Sequence, residues 1–483
     1  MTIGQYSAVE LTKKYLNRIK TIDQSGPVLN AVIEINPDAI KMAETLDRER
    51  KNGTLRSPLH GIPVIIKENI DTGDQMMTTA GSLALHGHKA KSDVFTVTEL
   101  REAGLVLLGK SNLGEWANFR STRSSSSWSG RGGQTRNPYY LDRTPCGSSS
   151  GSAVAVSANL CPLTIGTETD GSIVCPSGIN GVVGIKSTVG LWSRSGIIPI
   201  SESQDTADPL ARTVKDAALL LQVIAAPDAN DPTSVRQAKT QNINFNWDEN
   251  SLHGARIGYL KQLATFDERV ESILQESIKT LISKGAEITT IEQVEVLDQI
   301  GEFEWIVLLY EFKAGVNHYL KTHPEIPHKN LGELIAFNQQ NADKSMPWFN
   351  QEILEMADQT TDLTHDTYKE ALAKCRELSR EKGVDKLLKD HQPDALIAPT
   401  NGPAWMIDYV NGDNFKGGSS TLAAVAGNPS ITVPAGFIMS LPIGLSFIGK
   451  AWREKKLIQL AYSYEQATFK RQKPEFKPSL FTN

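Results

Sequence analysis

Cys146-Gly147-Ser148-Ser149-Ser150-Gly151-Ser152-Ala153-Val154-Ala155-Val156-Ser157-Ala158 is the stretch on which the reading of this chain turns. A Gly/Ser-rich segment can be a flexible linker. This one runs directly into the apolar residues Ala153 to Ala158, which need burial. Small residues beside a buried segment point to backbone packed closely against backbone or ligand. The Ala-rich half predicts a buried helix whose free N–H groups and positive end lie beside the serines. A solvent-facing serine-rich cap is the other reading that the local pattern allows.

Gly147-Ser148-Ser149-Ser150-Gly151 matches the G-x-S-x-G nucleophile elbow of α/β-hydrolases. That motif needs a buried strand before it and an acid and a histidine after it. The preceding residues 137–146 carry two prolines and few apolar side chains, and the last histidine is His391. The elbow is therefore rejected, since a short pattern in a Ser-rich loop matches easily by chance. Other histidines offer no better base. His86 and His88 are too close together for a metalloprotease helix, and a lone His60 reads as structural.

Working outward, Gly61-Ile62-Pro63-Val64-Ile65-Ile66-Lys67 is short, β-branched and entered through Gly and Pro, which predicts a buried strand. Lys67 closes it. A desolvated lysine can act as a base because burial lowers its pKa; a lysine that snorkels to solvent from a strand end is the plainer alternative. Downstream, Gly166-Thr167-Glu168-Thr169-Asp170-Gly171-Ser172-Ile173 is a polar, turn-prone stretch between apolar segments. Successive N–H groups in such a turn can form a nest for an oxyanion, with Ser172 placed to attack.

Composition sets the frame. The 483 residues are 40% hydrophobic and 22% charged with a net charge of -5, ordinary for a globular chain. The absence of a long like-charge block argues against a nucleic-acid partner; Arg120, Arg123, Arg131, Arg136 and Arg143 form a local basic stretch that reads as surface solvation or loop pairing. Four cysteines without Cys-x-x-Cys spacing argue against a zinc site and a disulfide framework, without excluding one bridge. No apolar run is long enough for a membrane span. The first residues lack a signal-peptide core and read as a helix, with Ser7 and Glu10 forming a capping box. The compartment expected by default is cytoplasmic, and a removed export signal would reverse that. Nothing in the sequence sets the oligomeric state.

Helical patterns recur near 267–283 and 366–390, and strand-like runs at Ala395–Ala398, Ser430–Val433 and Leu445–Ile448. Interspersed helices and strands suggest one layered α/β domain over 1–483. Within it, the core lies at about 60–200 and a mostly helical, pocket-shaping insertion at about 288–393.

Taken together, residues 61–71 (GIPVIIKENID), 137–158 (NPYYLDRTPCGSSSGSAVAVSA) and 166–186 (GTETDGSIVCPSGINGVVGIK) resemble the amidase signature family in order, spacing and wording. The likeness covers nearly the whole chain. It implies a three-layer α/β/α fold with a mixed central β-sheet and a Ser–cis-Ser–Lys triad that uses no metal or cofactor. Carried over by motif position, Lys67 is the base, Ser148 the bridging serine with a cis peptide bond, and Ser172 the nucleophile. The amides of Thr169, Asp170, Gly171 and Ser172 line the oxyanion hole, and Ser149 is a candidate substrate contact. Two departures stand out: Asp170 replaces a usual glycine, and Val174 replaces a usual arginine, which disfavours an anionic group bound there. Residues 196–212, 308–315 and 334–339 resemble the peptide amidase branch, which implies hydrolysis of the C-terminal carboxamide of peptides with release of ammonia. The alternatives are an amidase of simple aliphatic, aromatic or fatty amides, and the glutaminase component of a tRNA-dependent amidotransferase.

Overall fold

The computed structural model describes residues 5–237 and 245–481. At its centre is an eleven-stranded mixed sheet. The strands are β1 (Val32–Ile35), β2 (Pro63–Lys67), β3 (Val106–Ser111), β6 (Leu163–Glu168), β7 (Val183–Lys186), β8 (Thr206–Ala211), β9 (Arg256–Leu260), β10 (Glu287–Ile291), β11 (Ala395–Pro399), β12 (Ser430–Ile438) and β13 (Leu441–Ile448). A separate two-stranded ribbon pairs β4 (Trp128–Ser129) with β5 (Gly133–Gln134). The sheet order is β1-β3-β2-β6-β8-β7-β12-β13-β11-β9-β10. β2 runs parallel to both β3 and β6, β9 is parallel to β10 and β11, and the middle of the sheet is antiparallel. The runs read as strands at 63–67, 395–398, 430–433 and 445–448 all lie in it.

β2 shows how the pattern places chemistry. All five of its residues are buried, as expected of a strand covered on both faces. Val64 and Ile66 join one apolar cluster, with Leu163 and Ile165 of β6. Ile65 joins another, with Val154 and Ala155 of the helix Ser150–Ser157. Side chains alternate along a strand, so Lys67 takes the parity of Ile65. It therefore emerges on the face that this helix covers.

The helix Ser150–Ser157 is buried at every position, so the solvent-facing cap is ruled out. Its small residues are steric requirements. A Cβ on Gly151 would lie 2.2 Å from the Ala31 carbonyl oxygen and 2.5 Å from that of Asn112. Ser152 Oγ donates to the Ile165 carbonyl at 3.0 Å, and Thr164 Oγ1 to the Ser152 carbonyl at 3.1 Å, stitching the helix to β6. Among the described residues no strand runs into Ser148, which agrees with rejection of the elbow.

Between β10 and β11 the chain is helical, beginning with the long helix Leu297–Thr322 and ending with Asp385–His391. The N-terminal capping box forms as read, with Glu10 N donating to Ser7 Oγ at 3.1 Å and Ser7 N to Glu10 Oε2 at 2.8 Å. His60 is structural, its Nε2 lying 2.9 Å from the Leu46 carbonyl. Two arginines of the basic stretch are held in ion pairs, the buried Arg120 with Glu115 and the half-buried Arg131 with Glu34 and Glu68. Among the described residues no helix is long and apolar enough to cross a membrane.

One covalent link went unassigned by the cysteine spacing: Cys146 and Cys175 form a disulfide. It ties the loop before Ser148 to the helix Val174–Ile179 that follows Ser172. Cys161 and Cys375 are free and buried. Closing a loop of this size should contribute roughly 2–4 kcal/mol. The double variant Cys146→Ala/Cys175→Ala should lose about that much in denaturant unfolding, and a loss below about 1 kcal/mol would show that the bridge does not constrain the chain.

Candidate active site

Three loops meet where β2 ends, where the helix Ser150–Ser157 begins and where β6 ends. They put Lys67 in contact with Ser148 and hold Ser172 beside them through the Ser149 amide, with exposures of 0%, 0% and 7% for Lys67, Ser148 and Ser172. Lys67 Nζ lies 2.7 Å from Ser148 Oγ. The same nitrogen is 2.8 Å from Thr167 Oγ1 and 3.2 Å from the Thr167 carbonyl oxygen. Asn69 Nδ2 donates to Thr167 Oγ1 at 3.1 Å, holding that hydroxyl in place. The peptide bond between Gly147 and Ser148 is cis, as the family resemblance implies.

Every neighbour of the Lys67 nitrogen is uncharged, and no carboxylate makes a salt bridge to it among the described residues. Burial pushes its pKa from 10.5 down to about 7, against weaker upward pulls from Asp205 and Glu168. That fall corresponds to roughly 5 kcal/mol of preference for the neutral amine over the ammonium, relative to water. A neutral amine donates two hydrogen bonds and keeps one lone pair. Thr167 offers acceptors for the donors, which leaves the lone pair free to accept the Ser148 hydroxyl proton.

The segment Thr169–Ser172 turns sharply out of β6. Gly171 has φ 79°, and a Cβ there would lie 2.9 Å from Ser420 Oγ, so glycine is required on both counts. Glu168 Oε2 accepts from the amides of Ile173 at 2.7 Å and Val174 at 2.9 Å. Among the described residues, the four preceding amides, Thr169 to Ser172, donate to no turn, loop or side-chain group. Ser172 Oγ likewise has no protein hydrogen bond, and the Ser172 carbonyl accepts from Ser149 N at 3.1 Å. The turn thus presents unpaired donors beside an unpaired hydroxyl. Thr169 Oγ1 donates to Asp205 Oδ1 at 2.5 Å, and burial raises the Asp205 pKa to about 6.

Ser149 departs from its expected place. Its Oγ donates to the Thr167 carbonyl at 2.9 Å and accepts from Thr167 N at 3.1 Å, and the residue is fully buried. Its hydroxyl braces β6 against the helix and has no free face for a substrate. Asp170 accepts from Thr421 Oγ1 at 2.7 Å on Oδ2, while Oδ1 is buried without a partner. Glu304, on the helix Leu297–Thr322, accepts from Gln204 Nε2 at 2.8 Å; burial, then the nearby Asp170, raises its pKa to about 8. Val174 is buried at the start of its helix, its amide bonded to Glu168.

Asn69, Thr167, Glu168 and Asp205 carry this geometry, yet the sequence reading assigned them no role. The signal was present: all four lie in or beside the polar turns that interrupt apolar runs. A cavity of about 800 Å³ lies against the Lys67 side of the network, with Asn69, Thr167, Thr169 and Asp205 in its wall; Ser148 and Ser172 do not line it.

The amidase family profile matches residues 10–458. The native peptide amidase of Stenotrophomonas maltophilia is 50% identical, with a TM-score of 0.94 over 99% of this chain and 96% of that one. A probable amidase of Arabidopsis thaliana is 40% identical over 98% of this chain and 90% of its own length. A glutamyl-tRNA(Gln) amidotransferase component of Symbiobacterium thermophilum is 32% identical over 96% of this chain and 94% of its own. With its mixed sheet between helical layers and a family match along most of its length, the chain belongs to the amidase signature family and is an amide hydrolase.

Proposed function

We propose that this enzyme removes the C-terminal carboxamide of peptide amides as ammonia, through an acyl-enzyme on Ser172. The observation that carries the chemistry is the Lys67 nitrogen, fully buried among uncharged groups and 2.7 Å from Ser148 Oγ. Neutral Lys67 takes the Ser148 proton as Ser148 takes that of Ser172. The Ser172 oxygen attacks the carboxamide carbon, and the unpaired amides of Thr169 to Ser172 receive the developing oxyanion. The proton returns through Ser148 to the nitrogen, which leaves as ammonia. Water then attacks the ester by the same relay and releases the free acid.

The preference for peptide amides is supported by the 50% identity to a peptide amidase and by the half-buried Asp170 with the buried Glu304 beside the nucleophile turn. The likeness to amidotransferase components keeps a glutaminase role as the competing assignment, and Val174 argues against it.

Ammonia release from a dipeptide amide, its free acid, a simple aromatic amide and free glutamine separates these readings. Release from the dipeptide amide alone is expected. Equal turnover of the aromatic amide would make this a general amidase, and release from glutamine alone would support the amidotransferase reading.

Activity should depend on Lys67 being neutral. With a folded-state pKa of about 7, kcat/KM should rise with pH through about 7 and level off above it. Lys67→Ala should lower the rate by at least about a thousandfold and abolish that limb; full activity in this variant near neutral pH would refute the assignment of the base. Ser172→Ala should form no acyl-enzyme detectable by mass spectrometry after rapid quenching with a peptide amide. An adduct on that variant would place the nucleophile elsewhere.

A further inference from the structure

Along the wall of the same cavity, away from the serines, three side chains from distant parts of the chain converge. Asp71 lies in the loop after β2, His88 follows the short helical turn Leu83–Leu85, and His323 caps the C-terminal end of the helix Leu297–Thr322. Each brings one ligand atom within 4.8 Å of those of the other two. Asp71 and His88 are buried, and His323 is half-buried. Asp71, His323, Tyr319 and Glu325 line the cavity, so the cluster is accessible from it.

The hydrogen bonds around these rings fix where their lone pairs point. His323 Nδ1 lies 2.9 Å from the Tyr319 carbonyl oxygen, which can only accept, so Nδ1 carries the proton. Its Nε2 faces Asp71 Oδ2 at 3.1 Å, where it can carry a proton or, in the neutral ring, present its lone pair to a metal ion. The Tyr319 hydroxyl donates its single proton to Asp71 Oδ1 at 2.8 Å. Its 3.1 Å contact with His88 Nε2 therefore takes the proton of that nitrogen. His88 Nδ1 is left bare, buried and without a hydrogen-bond partner. Its charged neighbour is Glu325 Oε1, at 3.7 Å. The His323 Nε2–Asp71 Oδ2 contact is one that either a proton or a metal ion can bridge, and His88 Nδ1 adds a buried nitrogen that no protein group satisfies among the described residues.

We propose that Asp71, His88 and His323 form a binding site for one divalent transition-metal ion, with Zn²⁺ the best chemical match. Two imidazoles and a carboxylate suit a borderline ion, whereas Ca²⁺ and Mg²⁺ favour all-oxygen sets. The 3.1 Å between His323 Nε2 and Asp71 Oδ2 approaches the edge of about 3.3 Å that a tetrahedron with bonds of about 2.0 Å requires. The Tyr319 side chain and backbone orient both histidines and the carboxylate from behind, as the outer partners of metal ligands do. The ion would tie the loop after β2, the segment around His88 and the end of the long helix to one another. It takes no part in the serine–lysine chemistry, and it stands apart from the substrate assignment. Lys110, a buried cation nearby, is committed elsewhere; its Nζ is turned to the Ile70 carbonyl at 2.9 Å and to Thr78 Oγ1 at 2.6 Å.

The untagged full chain, stripped with EDTA and dialysed, is titrated with Co²⁺ and followed by visible d–d absorption, with Zn²⁺ as competitor. One saturable equivalent, displaced by Zn²⁺ and accompanied by a higher thermal unfolding midpoint, is expected. His323→Gln, at a half-buried helix end and so tolerant of change, should weaken binding by at least about tenfold, as should Asp71→Asn. His391→Gln, on an exposed helix end, should bind like the parent. Absence of saturable absorption, or binding unchanged in His323→Gln, would overturn the site. So would NMR showing His323 as an imidazolium paired with Asp71 at neutral pH without metal uptake.

Discussion

The cost of burying the Lys67 amine is the constraint on which the rest of this site depends. An ammonium group removed from water needs a charged partner or gives up its proton. Lys67 has no carboxylate in contact; its neighbours are the Ser148 hydroxyl and the two oxygens of Thr167. The amine is thereby shifted into the range where a base is useful at neutral pH. Asp205 and Glu168 are near enough to pull upward, but each is committed elsewhere: Asp205 to Thr169 and the amides of Ile200 and Ser201, Glu168 to the amides of Ile173 and Val174.

The architecture serves that arrangement at several scales. Strand alternation sends Lys67 to the face covered by the helix Ser150–Ser157, and the small residues of that helix let it approach β2, β3 and β6 closely. Ser149 locks the start of the helix to Thr167, the residue that also holds the lysine nitrogen. The Cys146–Cys175 bridge closes the frame around both serine loops. One residue of each pair thus positions the other, which is how three loops hold one geometry.

Most of this was readable where local pattern and burial agree. The run from Gly61 to Lys67 could hardly be other than a buried strand, and a Ser-rich segment followed by Ala153–Ala158 could not be a linker. The order and spacing of the three motifs carried the family. What escaped were relations that only the fold creates. Ser149 looked equivalent to its serine neighbours, yet the turn into the helix points its hydroxyl at the Thr167 backbone. Cys146 and Cys175 show no recognisable spacing because the fold brings two separate loops together. His88 and His323 were not connected because no local signal joins a loop near the start of the chain to the end of a helix far along it.

The most direct measurement of the central claim is the titration of Lys67 itself. NMR of protein carrying ¹³C-labelled lysine, with the Lys67 signal assigned by its loss in Lys67→Gln, reports the protonation of that amine without reference to turnover. The account predicts a pKa of about 7. A Lys67 that stays protonated until near the ordinary lysine value of 10.5 would contradict it and would require another base for Ser148.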